Sequence, residues 1–579
     1  MCGIFGFRSS INLENIFFDA MAHRGPDYKN CKKFQNWTLG HLRLSIIDTS
    51  SSANQPFEKH GAAIVFNGEI YNYLELKKKY LSEEIFETSS DTEVLIMLLN
   101  KFGVKILNEI NGMFAFAYLD KDGRLFLIRD RFGVKPLHYM IQDEIIYFSS
   151  EIKPLISIKK NKKINIKVYK NFFDHMATDY DEETFVEGIL QVKKGHYISI
   201  KDNFEIKKWY FGNDFQFDKN IFKDKQKTIQ FVEDTIVSAI DYRLRSDVPV
   251  CLTLSGGIDS TVLYTLIKER LQKNIKLYTF IHPNSDTSEY EAVIKLISSY
   301  NDFICTVQSN DTDNFNKLNE DLDILEFPIW GISSRAYRDT YDSINKGGFK
   351  VVIEGHGSDE MLGGYSYMYE CAFYDYIKKL NFFKAIQILK IESESANTSL
   401  IIKSNIFIKF IKMVAKFILR RKKIKYFQEI IDWTFDFKIL PIVLRAFDRL
   451  SMGSSIESRA PYMDYRVVEL FKKLPIGFKI NSMGSKAILR EILKKYKKEH
   501  IYKNKQKMGF SSDIPRFFNE VNNKKLIKYE VENLNMNDFL KEKEKAINLI
   551  NKEKIEWSDA FSISKVLLAS MINKKYQLK

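Results

Sequence analysis

Short apolar runs separated by turn residues fill the first 200 positions and predict a half built from β-strands. The candidate strands lie at 62–65, 113–119, 124–128, 145–148 and within 191–200, with turns such as Asp122-Gly123 between them. One amphipathic helix is predicted around 92–101. Runs of strands with few helices indicate antiparallel sheets layered with helices, which is an α+β domain.

Beyond residue 225 the pattern changes to strands that alternate with helices. Apolar strands are predicted at 248–254, 275–281 and 349–353, and helices at 232–244 and 260–271. This alternation predicts a parallel sheet, and the chain is predicted to be mostly helical from about 365 onward. We therefore predict an α+β domain over 1–210, a linker over 211–228, and an α/β domain with a helical C-terminal part over 229–579.

Composition narrows the class of protein without deciding its function. The 579 residues are 45% hydrophobic and 28% charged, which is ordinary for globular proteins. Five cysteines without a CxxC pair argue against a disulfide scaffold and a structural zinc site. No signal peptide and no apolar run of membrane-spanning length are present, so we expect a cytoplasmic protein. The net charge of +14 is consistent with anionic partners. A composition that is generally rich in lysine would explain the same charge equally well.

Residue 2 is a cysteine, and an initiator methionine is commonly removed before a small residue. Removal would leave a free α-amine beside the Cys2 thiol. With a reference pKa of about 7.7–8.0, that amine can serve as the general base for the thiol. Taken alone, an incidental small apolar residue is the simpler explanation of Cys2.

Three further positions carry polar groups that a nucleophilic cysteine could use. Asn67-Gly68 follows an apolar strand, where a side-chain amide and a backbone N–H can form a two-donor oxyanion hole. An ordinary hairpin turn has the same sequence. Arg43 lies in a strand-like run and could hold a substrate carboxylate or form a surface salt bridge. Asp91, at a predicted helix start, could hold a substrate ammonium or cap the helix.

The run Ser255-Gly-Gly-Ile-Asp-Ser260 lies between a predicted strand and a predicted helix. Backbone N–H groups in such a turn can converge on an anion, and the helix N-terminus favours negative charge. Ser255 and Ser260 add hydroxyl donors, and Asp259 suits a Mg²⁺ ion carried by a nucleotide. No Gly-Lys-Ser/Thr follows, so the run is not a Walker loop. A tight turn without a ligand is the alternative.

Together, the N-terminal motifs resemble the glutaminase domain of class II glutamine amidotransferases of the asparagine synthetase type. The similar segments are MCGIFGF, HRGPD (23–27), LRLSIID (42–48), FNGEIYN (66–72), SSDTEV (89–94), GMFAFA (112–117) and RDRFGVKPL (129–137). The resemblance implies an N-terminal-nucleophile hydrolase fold, with Cys2 as nucleophile and Asn67 and Gly68 as oxyanion hole. It also implies a glutamine pocket formed by Arg43, Ile47, Asn67, Gly68, Glu69 and Asp91.

The second half resembles the asparagine synthase domain of the same family, in which SGGxDS marks an ATP-pyrophosphatase loop. The similar segments are RSDVPVCLTLSGGIDS (245–260), EGHGSDEMLGGY (354–365), DRLSMGSSIESRAPYMDYR (448–466) and SKAILRE (485–491). The resemblance implies ATP and Mg²⁺ as cofactors, with the metal at Asp259 and Asp359 and phosphate charge neutralised by Lys486. The implied ATP site comprises Leu254, Ser255, Gly256, Gly257, Asp259, Ser260, Ile281, Gly355, His356 and Lys486.

The resemblance implies an enzyme with two sites joined by a closed passage for ammonia, and a homodimer. Glutamine would be hydrolysed to glutamate and ammonia at Cys2. ATP would activate an acceptor carboxylate as an acyl-adenylate with release of pyrophosphate, and ammonia would convert the adenylate to an amide and AMP. The leading acceptor is aspartate, which gives asparagine. The alternative acceptor is another carboxylate, such as a uronic acid in surface-polysaccharide (O-antigen or capsule) biosynthesis. The intact motifs argue against a third possibility, a storage or scaffold protein without catalytic activity.

One position departs from the family's pattern. The best-known asparagine synthetases have Glu where this chain has His356, and many relatives have Gln. The family assigns that Glu to proton handling during amide formation. A neutral His, with a reference pKa of about 6.5, could act as a base or could shape a pocket for a different acceptor. We favour the pocket, because a Gln at this position cannot take a proton.

Residues 406–423 have a basic amphipathic pattern. Lysines and arginines at 409, 412, 416, 420 and 423 fall on one face of a predicted helix, and apolar residues lie largely opposite. A peripheral helix packed on the core is the simpler interpretation. The alternative is an interfacial helix that contacts anionic lipid or a lipid-linked substrate. No nucleic-acid-binding motif accompanies the run, so we predict no nucleic-acid partner.

Overall fold

Two antiparallel sheets of six strands each form the N-terminal half. The computed structural model describes residues 2–9, 12–281, 288–308, 315–328, 334–395, 406–419, 424–505, 514–534 and 539–578. The strands of this half are β1 (Gly3–Phe7), β2 (Tyr28–Phe34), β3 (Trp37–Arg43), β4 (Phe57–Lys59), β5 (Ala62–Ile70), β6 (Gly112–Leu119), β7 (Leu125–Arg129), β8 (His138–Gln142), β9 (Ile145–Ser149), β10 (Ile189–Gln191), β11 (His196–Ile200) and β12 (Phe204–Lys208). The first sheet has the order β10-β8-β9-β1-β3-β2, and the second has the order β12-β11-β7-β6-β5-β4.

The two sheets pack face to face, and helices cover their outer faces. Because side chains alternate along a strand, β1 directs Ile4 between the sheets and Phe5 outward, and β5 does the same with Val65 and Phe66. The helices are α1 (Glu14–Met21), α2 (Tyr73–Tyr80), α3 (Asp91–Phe102), α4 (Lys153–Ile158) and α5 (Ile166–His175). This layering confirms the predicted α+β domain. The sequence predicts only α3, because the other four helices, of six to ten residues, are too short for a clear helical period.

A five-stranded parallel sheet forms the centre of the second half. Its order is β15-β14-β13-β16-β17, and β18 and β19 form a separate antiparallel pair. The strands are β13 (Val250–Thr253), β14 (Lys276–Phe280), β15 (Ile304–Val307), β16 (Val351–Ile353), β17 (Glu457–Arg459), β18 (Ile480–Asn481) and β19 (Gly484–Ser485). This sheet confirms the predicted α/β architecture.

Helices surround this sheet and form nearly all of the C-terminal part, as predicted. They are α6 (Lys225–Arg243), α7 (Ile258–Glu269), α8 (Ser288–Ser298), α9 (Phe315–Leu325), α10 (Ser334–Lys346), α11 (Ser358–Leu362), α12 (Ser366–Lys378), α13 (Phe382–Ser395), α14 (Ile406–Leu419), α15 (Phe427–Trp433), α16 (Leu440–Gly453), α17 (Tyr465–Lys473), α18 (Ile476–Lys479), α19 (Ala487–Lys495), α20 (Glu499–Tyr502), α21 (Ile514–Asn519), α22 (Val521–Glu532), α23 (Leu540–Ile550) and α24 (Trp557–Tyr576). Within the described ranges, no helix has the length and apolar character needed to cross a bilayer.

Two details differ from the pattern along the sequence. The run 191–200 divides between the sheets, because β10 pairs with β8 whereas β11 pairs with β7. Gly195, with a φ of +66°, lets the chain turn between them. Helix α6 begins at Lys225, inside the segment predicted as a linker, and Phe215 and Phe217 ahead of it pack against Phe231. The limits of the two domains at 210 and 229 stay a prediction.

A buried cluster of charges joins the two halves. Arg24 Nη1 lies 3.0 Å from Glu151 Oε1 and 3.0 Å from Asp448 Oδ2, which belongs to α16 of the second half. Arg449 Nη2 contacts Glu326 Oε2 at 2.8 Å. All five side chains are buried. A buried charge that loses its partner costs about 3–5 kcal/mol, so these pairs hold the halves in one arrangement.

Candidate active sites

Cys2 lies directly before the central strand β1 and beside β5. Its backbone nitrogen donates to Asn67 Oδ1 at 3.1 Å, and its carbonyl oxygen accepts from Arg24 Nε at 3.1 Å. These bonds fix the nitrogen atom that removal of Met1 would turn into a free amine. Burial raises the pKa of the Cys2 thiol, so a base is needed to form the reactive thiolate.

The next two residues of β5 supply the donors predicted for an oxyanion hole. Because Asn67 Oδ1 accepts from Cys2, the other end of the amide is the donor Nδ2, which is buried and has no hydrogen-bond partner among the described residues. Gly68 has a φ of +151°, and a Cβ there would lie 2.1 Å from Met113 O. Only glycine fits this position, which directly follows Asn67 in β5. An unpaired buried donor next to a nucleophile suits a developing oxyanion.

Arg43, at the end of β3, directs its guanidinium into the loop that follows. Nη1 donates to Ser50 O and Asn54 Oδ1, both at 2.7 Å, and Nη2 donates to Asp48 O. The register of β3 with β1 places Arg43 beside Cys2. A substrate carboxylate would compete with these oxygens for the guanidinium N–H groups.

Asp91 opens α3 but does not cap it, because the Ser90 side chain accepts from the backbone of the first turn. Asp91 Oδ2 accepts from Ile70 N at 2.9 Å. Burial raises the pKa of Asp91 to about 7, and burial also raises the pKa of Glu69. Among the described ion pairs Asp91 has no Lys or Arg partner, so its carboxylate suits a cationic group such as the ammonium of an amino acid.

The second half of the chain reaches this pocket through β16 and β17. Arg459 is fully buried, with Nη2 at 3.3 Å from Glu69 Oε1 and Nε at 2.5 Å from Glu457 Oε1. Ile47 packs in one cluster with Val351 of β16. In the structure Arg459 connects Glu69, next to the oxyanion donors, with the parallel sheet.

If Asp91 holds the ammonium of glutamine, the apparent KM for glutamine should rise as the pH falls through about 7. The carboxylate must be ionised to bind an ammonium, and its raised pKa means that it is protonated below that pH. Asp91→Asn should raise KM by about tenfold or more and remove this dependence. Steady-state glutaminase kinetics across pH measure both effects. Asp19→Asn on the exposed face of α1 is the control, and a pH-independent KM in the wild type would contradict the assignment.

Residues 254–257 connect β13 to α7 at the carboxyl edge of the parallel sheet, and residues 258–260 form the start of α7. Gly256 has a φ of +72°, and Ser260 Oγ accepts from Ser255 N at 3.2 Å. Leu254 is buried at the end of β13, and Ile281 and Gly355 follow the neighbouring strands β14 and β16. Ligands of open α/β sheets bind at this edge. Gly257 begins the α7 N-terminus, whose N–H groups suit a phosphate.

Asp259 and Asp359 lie in the first turns of α7 and α11 and meet at Lys486. Lys486 Nζ lies 2.5 Å from Asp259 Oδ2 and 2.7 Å from Asp359 Oδ1, and Ser358 Oγ donates to Asp259 Oδ1. Burial and the neighbouring Asp359 raise the pKa of Asp259, although Lys486 opposes this. A lysine in a helical sequence pattern is usually exposed to solvent, whereas Lys486 is buried.

The two carboxylates fit a Mg²⁺ ion that a nucleotide brings. Among the described residues, no group of three or more His, Cys, Asp or Glu could hold a metal without other ligands. Mg²⁺ typically takes one or two carboxylates and completes its octahedron with phosphate oxygens and water. Asp259 and Asp359 therefore suit a metal shared with bound phosphates.

A cavity of 690 Å³ lies beside this loop. Its walls include the nucleotide-loop residues Leu254, Ser255 and Asp259, and also Tyr337 and Lys438 from the helical part. Burial lowers the pKa of Lys438, and the described contacts of its Nζ are aromatic rings rather than carboxylates. An anionic group would stabilise that cation.

His356 lines the same cavity, with its ring against an aromatic ring at an interplanar angle of 32°. Its ring centroid is 3.5 Å from that of Phe447, and its Nε2 is 3.3 Å from Glu354 Oε2. Glu354 is buried and accepts from Tyr341 OH at 2.8 Å and from Ser458 Oγ. Burial opposes ionisation of Glu354, but His356 and these hydroxyls lower its pKa overall. The sequence did not indicate Glu354, because its partners come from separate elements.

A family model described as asparagine synthase matches residues 232–556. The chain belongs to the asparagine synthase family. A second model, described as a glutamine amidotransferase domain, matches residues 1–211. Both matches agree with the resemblance of the motifs in each half.

Relatives of the asparagine synthase family match most of the chain. A putative asparagine synthetase [glutamine-hydrolyzing] 2 from Methanocaldococcus jannaschii is 32% identical over 423 residues, which cover 66% of this chain and 78% of the relative. Asparagine synthetase [glutamine-hydrolyzing] 1 from Bacillus subtilis is 26% identical and covers 87% of this chain and 84% of the relative. Amidase chry2 from Gibberella zeae is 29% identical over 60% of this chain and 54% of its own length.

The layered antiparallel sheets, the parallel sheet and these matches confirm a glutamine amidotransferase domain in the first half and an asparagine synthase domain in the second. The protein is an enzyme, a carbon–nitrogen ligase of the glutamine-hydrolysing asparagine synthetase type. It carries out glutamine-dependent amidation, and its family uses ATP.

Proposed function

We propose that the N-terminal site hydrolyses glutamine through Cys2. The observation that carries this is the contact of Cys2 N with Asn67 Oδ1, beside an unpaired donor. With Met1 removed, the amine takes the thiol proton and Sγ attacks the side-chain amide carbon. Asn67 Nδ2 and Gly68 N–H stabilise the oxyanion, ammonia leaves with the proton, and water hydrolyses the thioester to glutamate.

We propose that the second site transfers AMP from ATP to an acceptor carboxylate. The loop 255–260 binds phosphates through its N–H and hydroxyl groups, and Lys486 neutralises their charge. A Mg²⁺ ion held by Asp259 and Asp359 would stabilise the negative charge of the departing pyrophosphate. Ammonia then attacks the acyl carbon, which gives an amide and AMP. The cavity walls shield the acyl-adenylate from water.

We propose aspartate as the leading acceptor, with asparagine as product. A larger carboxylate such as a uronic acid is the second candidate. The cavity of 690 Å³ with its aromatic walls, His356 and Lys438 supports the second candidate, because a sugar ring can stack on aromatic faces. The two acceptors share every step at Cys2 and at the nucleotide loop.

A panel of acceptors tests these proposals. Pyrophosphate release is measured with saturating ammonia and ATP, with aspartate, glutamate, glucuronate and galacturonate in turn. Release with aspartate alone supports asparagine synthesis, and release with the uronic acids alone supports the alternative. No release with any carboxylate would contradict the proposed adenylation. We also propose a cytoplasmic homodimer, as the resemblance implies, and sedimentation velocity of the purified chain measures its mass.

His356→Gln should raise the acceptor KM by about fivefold to tenfold and change acceptor preference, with little effect on the KM for ATP. The ring of His356 contacts Phe447, and its Nε2 lies near Glu354, which supports a role in shaping the acceptor pocket. Steady-state synthesis with saturating ammonia, across pH and acceptors, measures these effects. His60→Gln, on an exposed turn, is the matched control. If the variant loses the acidic limb of the pH profile while the acceptor KM stays unchanged, His356 is a base instead.

A further inference from the structure

Helix α14 has two apolar stripes, and only one of them is buried. Phe410 packs on Phe373 and Phe417 on Tyr374 of α12, with ring centroids 5.7 and 5.9 Å apart. Met413 lies in the same core cluster. These contacts confirm a helix that packs on the body of the protein. Arg420 and Lys423, from the predicted basic face, lie outside the described residues.

The second stripe of α14 has no cover within the described structure. It consists of positions 408, 411, 415, 418 and 419, which recur at the spacing of one helix face. Ile411 is 50% exposed, Ile418 is 69% exposed and Leu419 is 83% exposed. Burial of one such apolar side chain lowers the free energy by about 1.5–3 kcal/mol. A continuous exposed stripe of them therefore marks a contact surface.

Helix α13 and the turn before it, which contains Leu380, add further exposed apolar residues next to α14. The two helices pack against each other and share one core cluster. Phe383 is 79% exposed, and Leu380, Phe382 and Ile386 are also exposed. We call this set, together with the exposed stripe of α14, the α13–α14 surface.

Basic residues flank the α13–α14 surface. Residues 376–391 contain four lysines and 406–419 contain three, with no Asp or Glu in either segment, and the acidic residues of α13 are Glu392 and Glu394 near its C-terminal end. Lys379, Lys384 and Lys412 are exposed. Lys409 pairs with Glu392 of α13, and Lys416 with Glu370 of α12. The other basic residues of these segments have no carboxylate partner among the described contacts.

We propose that the α13–α14 surface binds an anionic lipid bilayer in the plane of the interface. Apolar side chains flanked by lysines match acyl chains beneath anionic headgroups, with the long lysine chains reaching the headgroup level. A second copy of the chain fits less well, because a twofold interface would place the basic residues against themselves. An anionic surface removes this repulsion, since each lysine near it gains favourable electrostatic energy.

Vesicle flotation of the full chain tests the proposal. The vesicles contain phosphatidylcholine alone or mixed with phosphatidylglycerol, at physiological and at high salt. We expect flotation with the anionic vesicles that weakens at high salt. Phe383→Ser with Ile418→Ser should reduce partitioning by about tenfold, and Lys379→Gln with Lys412→Gln should do the same for anionic vesicles.

Matched variants elsewhere on the surface serve as controls. Ile85→Ser with Phe303→Ser changes two residues of similar exposure, and Lys78→Gln with Lys541→Gln removes the same charge. These controls should float like the wild type, and all variants should keep the wild-type glutaminase rate. Absence of flotation, or equal losses in test and control variants, would overturn the proposal. So would a dimer that dissociates in the Phe383→Ser, Ile418→Ser variant without any vesicle binding, because the occupant would then be a second copy.

Discussion

Cys2→Ala should abolish glutamine hydrolysis and leave ammonia-dependent synthesis at the wild-type rate. The substitution removes the only atom in the proposed mechanism that attacks the amide, so glutamate formation should fall by about 10⁴-fold or more. The nucleotide loop belongs to the second half, where Asp259, Asp359 and Lys486 contact one another without help from Cys2. Pyrophosphate release with added ammonia should therefore survive.

Glutamate formation and pyrophosphate release are measured on the same preparation. Cys31→Ala, a half-buried cysteine on β2, is the matched control and should keep both activities. Cys2→Ala that hydrolyses glutamine at the wild-type rate would disprove the nucleophile assignment. Asn67→Ala should hydrolyse glutamine more slowly than Cys31→Ala and faster than Cys2→Ala, because removal of one oxyanion donor typically lowers kcat by about 10²–10³-fold.

Asp259→Asn and Asp359→Asn should each remove pyrophosphate release while glutamine hydrolysis continues. An amide is a poor ligand for the hard Mg²⁺ ion, and either substitution also leaves the buried Lys486 with a single carboxylate. We expect a loss of about 10²-fold or more in ammonia-dependent synthesis, because the metal stabilises charge on the leaving group.

The readout is pyrophosphate release with saturating ammonia, alongside glutamate formation as an internal standard. Asp122→Asn, on an exposed turn of the first half, controls for the loss of a carboxylate. Wild-type pyrophosphate release in both variants would exclude a metal role for these carboxylates. Loss of both activities in either variant would instead indicate damage to the fold.

Local sequence patterns predicted the parts of both sites that lie on single elements. The glycine-containing turn was predicted correctly between a strand and a helix, because glycines and a helix start are local signals, although α7 begins at Ile258 and not at residue 260. Asn67-Gly68 also follows an apolar run as predicted, although the structure places it inside the strand β5 rather than in a turn. The roles assigned to these residues stay predictions.

Contacts between distant elements could not be predicted from the sequence. Glu354 gains its partners from α10, β17 and the loop that carries His356, and Arg459 meets Glu69 across the two halves. Neither pairing has a spacing that a pattern could reveal. The apolar positions of α14 form two stripes rather than one, and only its packing on α12 separates the buried stripe from the exposed one.

Transfer of nitrogen from glutamine to the acceptor tests the central claim most directly. Wild-type enzyme is incubated with ATP, the acceptor that supports pyrophosphate release, and glutamine labelled with ¹⁵N at its side-chain amide. Mass spectrometry then measures the ¹⁵N content of the amide product. We predict ¹⁵N in the product amide for the wild type, and none for Cys2→Ala, which should incorporate label only from ¹⁵N-ammonium. Labelled product from glutamine in Cys2→Ala, or unlabelled amide from the wild type, would contradict the two-site account.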